Sequence, residues 1–163
     1  MTAQEWIFAV LGVLGSIGAV RLVTSKNVVH AALYLVVTLA SVGGVYLLLG
    51  AEFVAWVQIL IYVGAIVVLL LFSLMLTRAP IGREALDNEQ RAVAAIVALG
   101  VLGGLAYLLW DTFSDTRIEV TPSFTAGVGE RLFSDFVLPF EAVSFLLLAA
   151  LIGAIVLARR DEA

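Results

Sequence analysis

The chain has 163 residues, of which 63% are hydrophobic and 13% charged, and its formal net charge at pH 7 is −4. A soluble domain is about half apolar, and a chain this short has no core large enough to hold the excess. This composition therefore excludes a soluble globular protein and indicates an integral membrane protein. With no cysteine and one histidine, disulfides, iron–sulfur clusters and thiolate or two-histidine metal sites are excluded on this chain. No nucleic-acid partner is predicted.

Five apolar runs are each long enough, as helices, to cross about 30 Å of hydrocarbon. Helices are expected because every backbone polar group in lipid must pair within the segment. The runs are Trp6–Val23, Val28–Leu49, Phe53–Leu76, Ala92–Trp110 and Phe140–Ala158. The predicted fold class is thus an all-α integral membrane protein with five transmembrane helices in a single domain, residues 1–163.

The connections between these runs predict the layout. Residues 24–27 and 50–52 form short connections, so successive helices there should be antiparallel. The connection 111–139 is long and mostly polar. Its end, "GERLFSDFVLPF", carries apolar residues at roughly helical spacing and is expected to lie in the membrane interface.

The distribution of Lys and Arg predicts the orientation. Cytoplasmic loops carry an excess of these residues. Seven of the nine Lys and Arg fall on one side of the predicted topology, and only Arg117 and Arg131 fall on the other. The N-terminus is therefore predicted outside and the C-terminus in the cytoplasm, with loop 111–139 external.

Glycines inside two of the runs predict close helix packing. Gly12, Gly15 and Gly18 recur every three residues in the first run, and Gly100 and Gly104 form a GxxxG pattern in the fourth. Small residues let helix backbones approach each other in a membrane. Neither set follows a strand in the way that a phosphate-binding loop requires.

The third run carries polar residues in its middle. At about 100° per residue, Ala55, Gln58, Tyr62, Ala65 and Ser73 share one stripe, and the other faces are aliphatic or aromatic. A stripe of small and polar residues faces protein or water rather than lipid. Two interpretations stay open, a polar seam between helices and the lining of a proton or ion path.

Four further residues are candidates, and two of them, Gly64 and Glu141, have two interpretations each. Gly64 lies on the face opposite the stripe, where it either lets another backbone approach or allows the helix to widen locally. Glu141 follows Pro139 and is either an ordinary first-turn acid that the helix dipole favours or a member of a proton relay. Glu52 is expected to be a first-turn acid, and His30 an interfacial residue three positions after the N-cap residue Asn27.

Two blocks of the sequence, residues 27–77 and 129–160, resemble subunit J of bacterial respiratory complex I. This family is the counterpart of the mitochondrial sixth NADH dehydrogenase subunit. The motifs that carry the resemblance are "AEF…VQ…IYVGAIVVL" and "LPFE…S.LLLAALIGAIVLAR", found in this order. Val28 departs from the pattern because relatives often have Pro there, and residues 79–124 match in layout but not in motif.

The resemblance implies a role without redox chemistry on this chain. Complex I passes electrons from NADH to quinone and couples this to proton pumping, with FMN and iron–sulfur clusters in partner subunits. Subunit J is expected in the bacterial cytoplasmic membrane, in the lipid bilayer, among H-, A-, K- and N-type subunits. In this family the third helix holds a π-bulge near the IYVG motif. Tyr62 and Gly64 would then be switch residues, Gln58 would stand where some relatives carry Glu, and Glu141 would match the family's PFE acid.

Three other functions remain as alternatives. The chain is also compatible with the equivalent subunit of a related hydrogenase or antiporter-like membrane module. A stand-alone transporter is disfavoured because no inverted repeat and no charged residue at the bilayer midplane are visible. A third possibility is a packing or assembly protein with no moving part.

Overall fold

The structure is a computed structural model that describes residues 2–76, 90–114 and 124–159, without the side chain of Arg91. The described chain is helical. Five helices are long and apolar enough to cross a membrane, as predicted: Ala3–Thr24, Val28–Leu48, Glu52–Leu76, Ala92–Phe113 and Val137–Ala158. The predicted orientation of the termini stays a prediction.

The elements follow one another with short connections where the structure describes them. The third membrane-spanning helix consists of three parts, which are a first α-helical part, a π-helical segment and a second α-helical part. The elements are α1 (Ala3–Thr24), α2 (Val28–Leu48), α3 (Glu52–Val57), the π segment (Gln58–Val67), α4 (Val68–Leu76), α5 (Arg91–Phe113), α6 (Thr125–Ser134) and α7 (Val137–Ala158).

Side-chain caps fix the starts of the first two helices. Thr2 and Glu5 form a capping box, in which the Glu5 backbone N–H donates to Thr2 Oγ1 and the Thr2 N–H donates to the Glu5 carboxylate. Asn27 Oδ1 accepts from the backbone N–H groups of Val29 and His30, at 2.9 and 3.4 Å. The expected N-cap role of Asn27 is therefore confirmed, and His30 lies in the first turn of α2.

The turn between α2 and α3 requires a glycine. Gly50 has a φ of 71°, a left-handed conformation that L side chains rarely adopt. The Ala51 N–H donates to the Tyr46 carbonyl at 2.9 Å and the Gly50 N–H to the Leu47 carbonyl at 3.0 Å. This pair of bonds is a Schellman motif, which ends α2 and turns the chain back. The third helix then starts at Glu52, which is a first-turn acid as expected.

Helix α2 lies between α1 and the three-part third helix. Close approach to α1 depends on glycine. A Cβ added at Gly18 would lie 2.7 Å from Thr38 Oγ1, and one at Gly15 would lie 3.2 Å from Ser41 Cβ. The packing role predicted for these two glycines is confirmed. Gly12 differs, because nothing in the described part of the chain lies within 4 Å of a Cβ there.

Helices α5 and α7 lie apart from this group. Within the described ranges no other helix packs against α5, and α7 packs only against α6. A Cβ at Gly100 or Gly104 would meet no described atom within 4 Å. The GxxxG pattern therefore packs against no other described helix, and packing against another subunit stays a prediction.

The segment predicted as one long loop, 111–139, contains more helix than expected. Helix α5 continues to Phe113, and α6 occupies residues 125–134, which confirms the helical spacing seen in "GERLFSDFVLPF". Helix α6 packs against α7 and touches α3, and the Phe133 and Phe140 rings meet edge to face with centroids 5.1 Å apart. The expected interfacial location of α6 stays a prediction. The connection predicted at 77–91 lies outside the described residues, except for Gln90 and Arg91.

Candidate functional site

The middle of the third helix is π-helical from Gln58 to Val67. In a π-helix each N–H bonds to the carbonyl five residues earlier, which widens the turn, and such segments are frequent at functional sites. The resemblance implied a π-bulge near the IYVG motif, and the structure contains one there. It is ten residues long, longer than a single-turn bulge, and begins four residues before Tyr62.

Gln58, the first residue of the π segment, faces α2. Its side chain is only 8% exposed, and its amide Nε2 donates to the backbone carbonyl of Leu39 in α2 at 3.5 Å. This is a long bond, near the limit for a hydrogen bond. It nevertheless supplies a partner for a polar group that would otherwise be buried alone, which costs about 1–3 kcal/mol.

Gly43 of α2 is the second contact for the start of the π segment. Gly43 is buried, and a Cβ there would lie 2.9 Å from Ile59 Cδ1 and 3.6 Å from Gln58 Cγ. The first two residues of the π segment therefore lie against bare backbone. Sequence reasoning missed Gly43. The available signal was the adjacent pair Gly43–Gly44 inside an apolar helix, where each glycine costs about 1 kcal/mol relative to alanine.

Only the first half of the predicted polar stripe lies in the seam with α2, and the interpretation of the stripe stays a prediction. Ala55 and Gln58 are buried. Ala65 and Ser73 are exposed, and the position that is buried instead is Val67, at 1% exposed. The stripe was drawn at 100° per residue, which holds for an α-helix. The wider π turn rotates each residue by less, so the helix presents a different face after Gln58.

Tyr62 and Gly64 lie within the π segment but not in its seam with α2. Tyr62 is 45% exposed. At Gly64 the nearest atom to an added Cβ is the carbonyl oxygen of Ile59, in the same helix, at 3.5 Å. No other described helix approaches Gly64, so within the described residues the glycine does not serve the close approach of a second backbone. Its position inside the widened turn agrees with the other interpretation.

Glu141 lies elsewhere in the molecule. Helix α7 begins at Val137, so Pro139 is its third residue and Glu141 its fifth. The prediction of a first-turn acid is wrong, because the helix starts before the proline instead of after it. The Glu141 side chain is exposed, and α7 packs on α6 and not on the π segment in the described chain. The structure therefore places Gln58, Tyr62 and Gly64 in one π segment, with only Gln58 in the seam with α2, and leaves Glu141 apart.

No group of three or more His, Asp or Glu side chains that could hold a metal ion occurs in the part of the chain that the structure describes. The polar chemistry of the π segment is therefore that of an amide and a phenol. These groups can orient water and pass hydrogen bonds, but an amide does not titrate.

Comparison with known proteins assigns the family. The family described as NADH-ubiquinone/plastoquinone oxidoreductase chain 6 matches residues 18–157, a range that includes α2, the π segment and α7 almost entirely. The chain belongs to this family. The resemblance seen in the IYVG and LPFE motifs is thus confirmed over a longer part of the sequence than those motifs cover.

Three relatives illustrate the breadth of the chain 6 family. NAD(P)H-quinone oxidoreductase chain 6 of Leptolyngbya boryana is 41% identical over 94% of this chain and 79% of its own length. F(420)H(2) dehydrogenase subunit J of Methanosarcina mazei is 39% identical over 95% of this chain and 90% of its own. NADH-quinone oxidoreductase subunit 10 of Thermus thermophilus is 37% identical over 90% of this chain and 85% of its own. The chain is thus a multi-pass membrane subunit of the kind found in multi-subunit oxidoreductases.

Proposed function

We propose that this chain is a membrane-arm subunit of a proton-pumping NADH-quinone oxidoreductase and couples quinone reduction to proton translocation through its π segment. The observation that carries the proposal is the ten-residue π-helix with a hydrogen-bonded amide at its start. Coupling needs an element with two arrangements that other sites can bias. A π segment inside an otherwise α-helical span is such an element.

The sequence of the third helix suits two registers. In the π form, Val67 closes the seam with α2 and Tyr62 is half exposed. If the segment became α-helical while Gln58 kept its place, the face turned towards α2 would carry Tyr62, Ala65 and Ser73 instead. In the π form an aliphatic side chain fills the seam with α2. In the α form small and polar side chains would line that seam. Conversion between them would open and close a path for water.

The redox chemistry is proposed to lie in other subunits. This chain has no cysteine and one histidine, which gives it no ligand set for a cluster. FMN, iron–sulfur clusters, NADH and quinone would be held by partner subunits. The proposed neighbours are the H-, A-, K- and N-type membrane subunits, in a bacterial cytoplasmic membrane with the N-terminus outside.

The exposed surfaces of α5 and α7 support an assembly with other membrane subunits. Both helices are exposed along their described length, and neither joins the group around α2. A stand-alone transporter would need these helices to close around a substrate path. A subunit embedded among others can leave them apart, because neighbouring subunits cover them.

A second candidate concerns the electron donor. The relatives named above carry NAD(P)H, F(420)H(2) and NADH in their names at 37–41% identity to this chain. A coupling subunit in the membrane need not contact the electron donor. Homologous subunits can therefore work in complexes that oxidise different donors. The alternative is therefore the equivalent subunit of a related module with another donor.

The test is a tagged pull-down from mild-detergent membranes, with the eluate assayed for NADH–quinone reductase activity and its sensitivity to quinone-site inhibitors. The proposal expects inhibitor-sensitive activity to follow the tag. Quinone reductase activity with another donor, and none with NADH, would favour the second candidate. A tagged chain that elutes without any redox partner would favour the transporter and packing alternatives.

A further inference from the structure

An open cavity of about 340 Å³ lies at the turn between α1 and α2. Two cations, Arg21 and Lys26, line it together with His30 and Tyr34, and none of the described residues in its wall is a carboxylate. The turn joins two helices that are long and apolar enough to cross a membrane, so the cavity is expected at the depth of lipid headgroups. The residues that line it do not include Leu39 and Gly43, which contact the start of the π segment, so it is separate from the candidate coupling site.

The donors that face this cavity divide into two groups. The hydroxyls of the turn are already used, since Thr24 donates to the Val20 carbonyl at 2.7 Å and Ser25 to the Asn27 carbonyl at 3.0 Å. The charged ends of Arg21 and Lys26 have no ion pair or hydrogen bond within the described residues. Two such cations beside a cavity whose described lining holds no acid are suited to an anion, and guanidinium and ammonium groups are the usual phosphate ligands.

The surroundings of the cavity indicate which anion. Four apolar side chains of α1 and α2 next to the turn are more than half exposed: Val20, Val23, Val29 and Leu33. A free phosphate would leave this apolar surface uncovered. A phospholipid would place its phosphate between the cations and its acyl chains along the apolar surface. Basic pockets between membrane helices bind anionic headgroups in this way.

We propose that the α1–α2 turn binds the phosphate group of an anionic phospholipid, held by Arg21 and Lys26. Tyr34 lies one helical turn below His30, on the same face of α2, and marks the boundary between headgroup and acyl chains. This inference needs only that the chain spans a membrane. It stands or falls independently of the proposed coupling role.

The test uses the tagged chain purified together with its native partners and placed in bilayers of phosphatidylcholine. A small fraction of phosphatidylglycerol with a photoreactive group beside its phosphate is added, and labelled peptides are identified by mass spectrometry. Competitors are unlabelled phosphatidylglycerol, phosphatidylcholine and inorganic phosphate. The proposal expects labelling of residues 20–34 that phosphatidylglycerol removes and the other two do not.

Four variants test the role of the two cations. Each cation near an anionic headgroup changes affinity about five-fold, so Lys26→Gln should weaken labelling about five-fold, and Arg21→Gln with Lys26→Gln about thirty-fold. The exchange Arg21→Lys with Lys26→Arg keeps both charges and should keep the labelling. Arg131→Gln removes a cation from α6, which touches α3 at the opposite end of α2, and should leave labelling of residues 20–34 unchanged.

Several outcomes would overturn the proposal. Equal competition by phosphatidylcholine would mean a surface without charge selectivity. Displacement by inorganic phosphate would mean a free-anion site. Absence of labelling at residues 20–34, or labelling that is undiminished in Lys26→Gln, would mean that these cations hold no lipid in the assembled protein.

Discussion

The side-chain amide of Gln58, at the start of the π segment, donates to the backbone carbonyl of Leu39 in α2 at 3.5 Å. In the regular helix the Leu39 carbonyl already accepts from the backbone four residues later, so the Gln58 bond is an additional one. It joins the start of the π segment to the central helix without making that helix depend on it. Gln58 is therefore a positioning residue whose removal is tolerable, which makes it a useful probe of the polar stripe.

Replacement of Gln58 by Leu should reduce coupled activity less than Tyr62→Phe or Glu141→Gln. Leu keeps the volume and apolar contacts of the seam, and the lost bond is worth about 1 kcal/mol. The measurement is the quinone reductase rate and proton uptake of the purified complex for the three variants side by side. A larger defect from Gln58→Leu than from the other two would mean that the polar stripe itself conducts protons.

The contact between Gly43 and Ile59 predicts a compensating pair. Gly43→Ala places a Cβ 2.9 Å from Ile59 Cδ1, which should push the start of the π segment away from α2 and lower turnover, at a cost of about 1–3 kcal/mol from overpacking. Ile59→Val removes Cδ1, so the double variant Gly43→Ala with Ile59→Val should recover most of the activity and stability.

The matched control for this pair is Ile59→Val alone, which should cost about 0.5–1.5 kcal/mol. The interaction between the two changes is read from the four-variant cycle of thermal stability and turnover. Additive losses, with no recovery in the double variant, would contradict the close contact between Gly43 and Ile59.

The close approach of α1 and α2 predicts that Gly18 cannot be enlarged. Gly18→Ala places a Cβ 2.7 Å from Thr38 Oγ1 and 3.3 Å from the Tyr34 carbonyl. Thr38 cannot easily turn away because its hydroxyl donates to that same carbonyl at 2.9 Å. Overpacking of about 1–3 kcal/mol should exceed the gain of about 1 kcal/mol in helix propensity, so the melting temperature should fall.

Gly12→Ala is the control on the same helix. No described atom lies within 4 Å of its Cβ, so only the propensity gain remains and stability should not fall. The readout is the temperature at which the detergent-purified tagged protein aggregates, followed by gel filtration. A loss at Gly12→Ala as large as that at Gly18→Ala would show that α1 packs elsewhere.

The sequence alone predicted the five membrane-spanning helices and part of the candidate site. Length and hydropathy locate five spans, and Asn27 and Glu52 mark helix starts where the structure has them. The start of α7 was misplaced because Pro139 fits the first helical turn as well as the position before it. Pro139 lies in the first turn of α7, so Glu141 lies in the second turn.

The stripe on the third helix shows why periodicity could not predict which residues after Gln58 face α2. Its assignment assumed a constant rotation per residue, and a π segment changes that rotation at Gln58 without any change in composition. Ala65 and Ser73 then leave the seam and Val67 enters it. The resemblance to the family supplied the π-bulge that the hydrophobic pattern could not show.

Gly64→Val tests the π segment. Outside the neighbouring backbone of its own helix, the nearest described atom to a Cβ at this position is the Ile59 carbonyl oxygen at 3.5 Å, an ordinary contact, and assembly of the variant complex is checked before activities are compared. A β-branched side chain is restricted in rotation and stiffens the helix. We expect lower turnover, or fewer protons moved per electron pair. Gly64→Ala, the matched control, should lie closer to the unchanged protein.

The most direct measurement of the coupling claim is the number of protons taken up per electron pair by proteoliposomes holding the intact complex with Gly64→Val. The account predicts that this ratio, or the quinone reductase rate that drives it, falls well below that of the unchanged complex assayed in parallel. An assembled Gly64→Val complex with normal turnover and a normal proton ratio would contradict a switching role for the π segment.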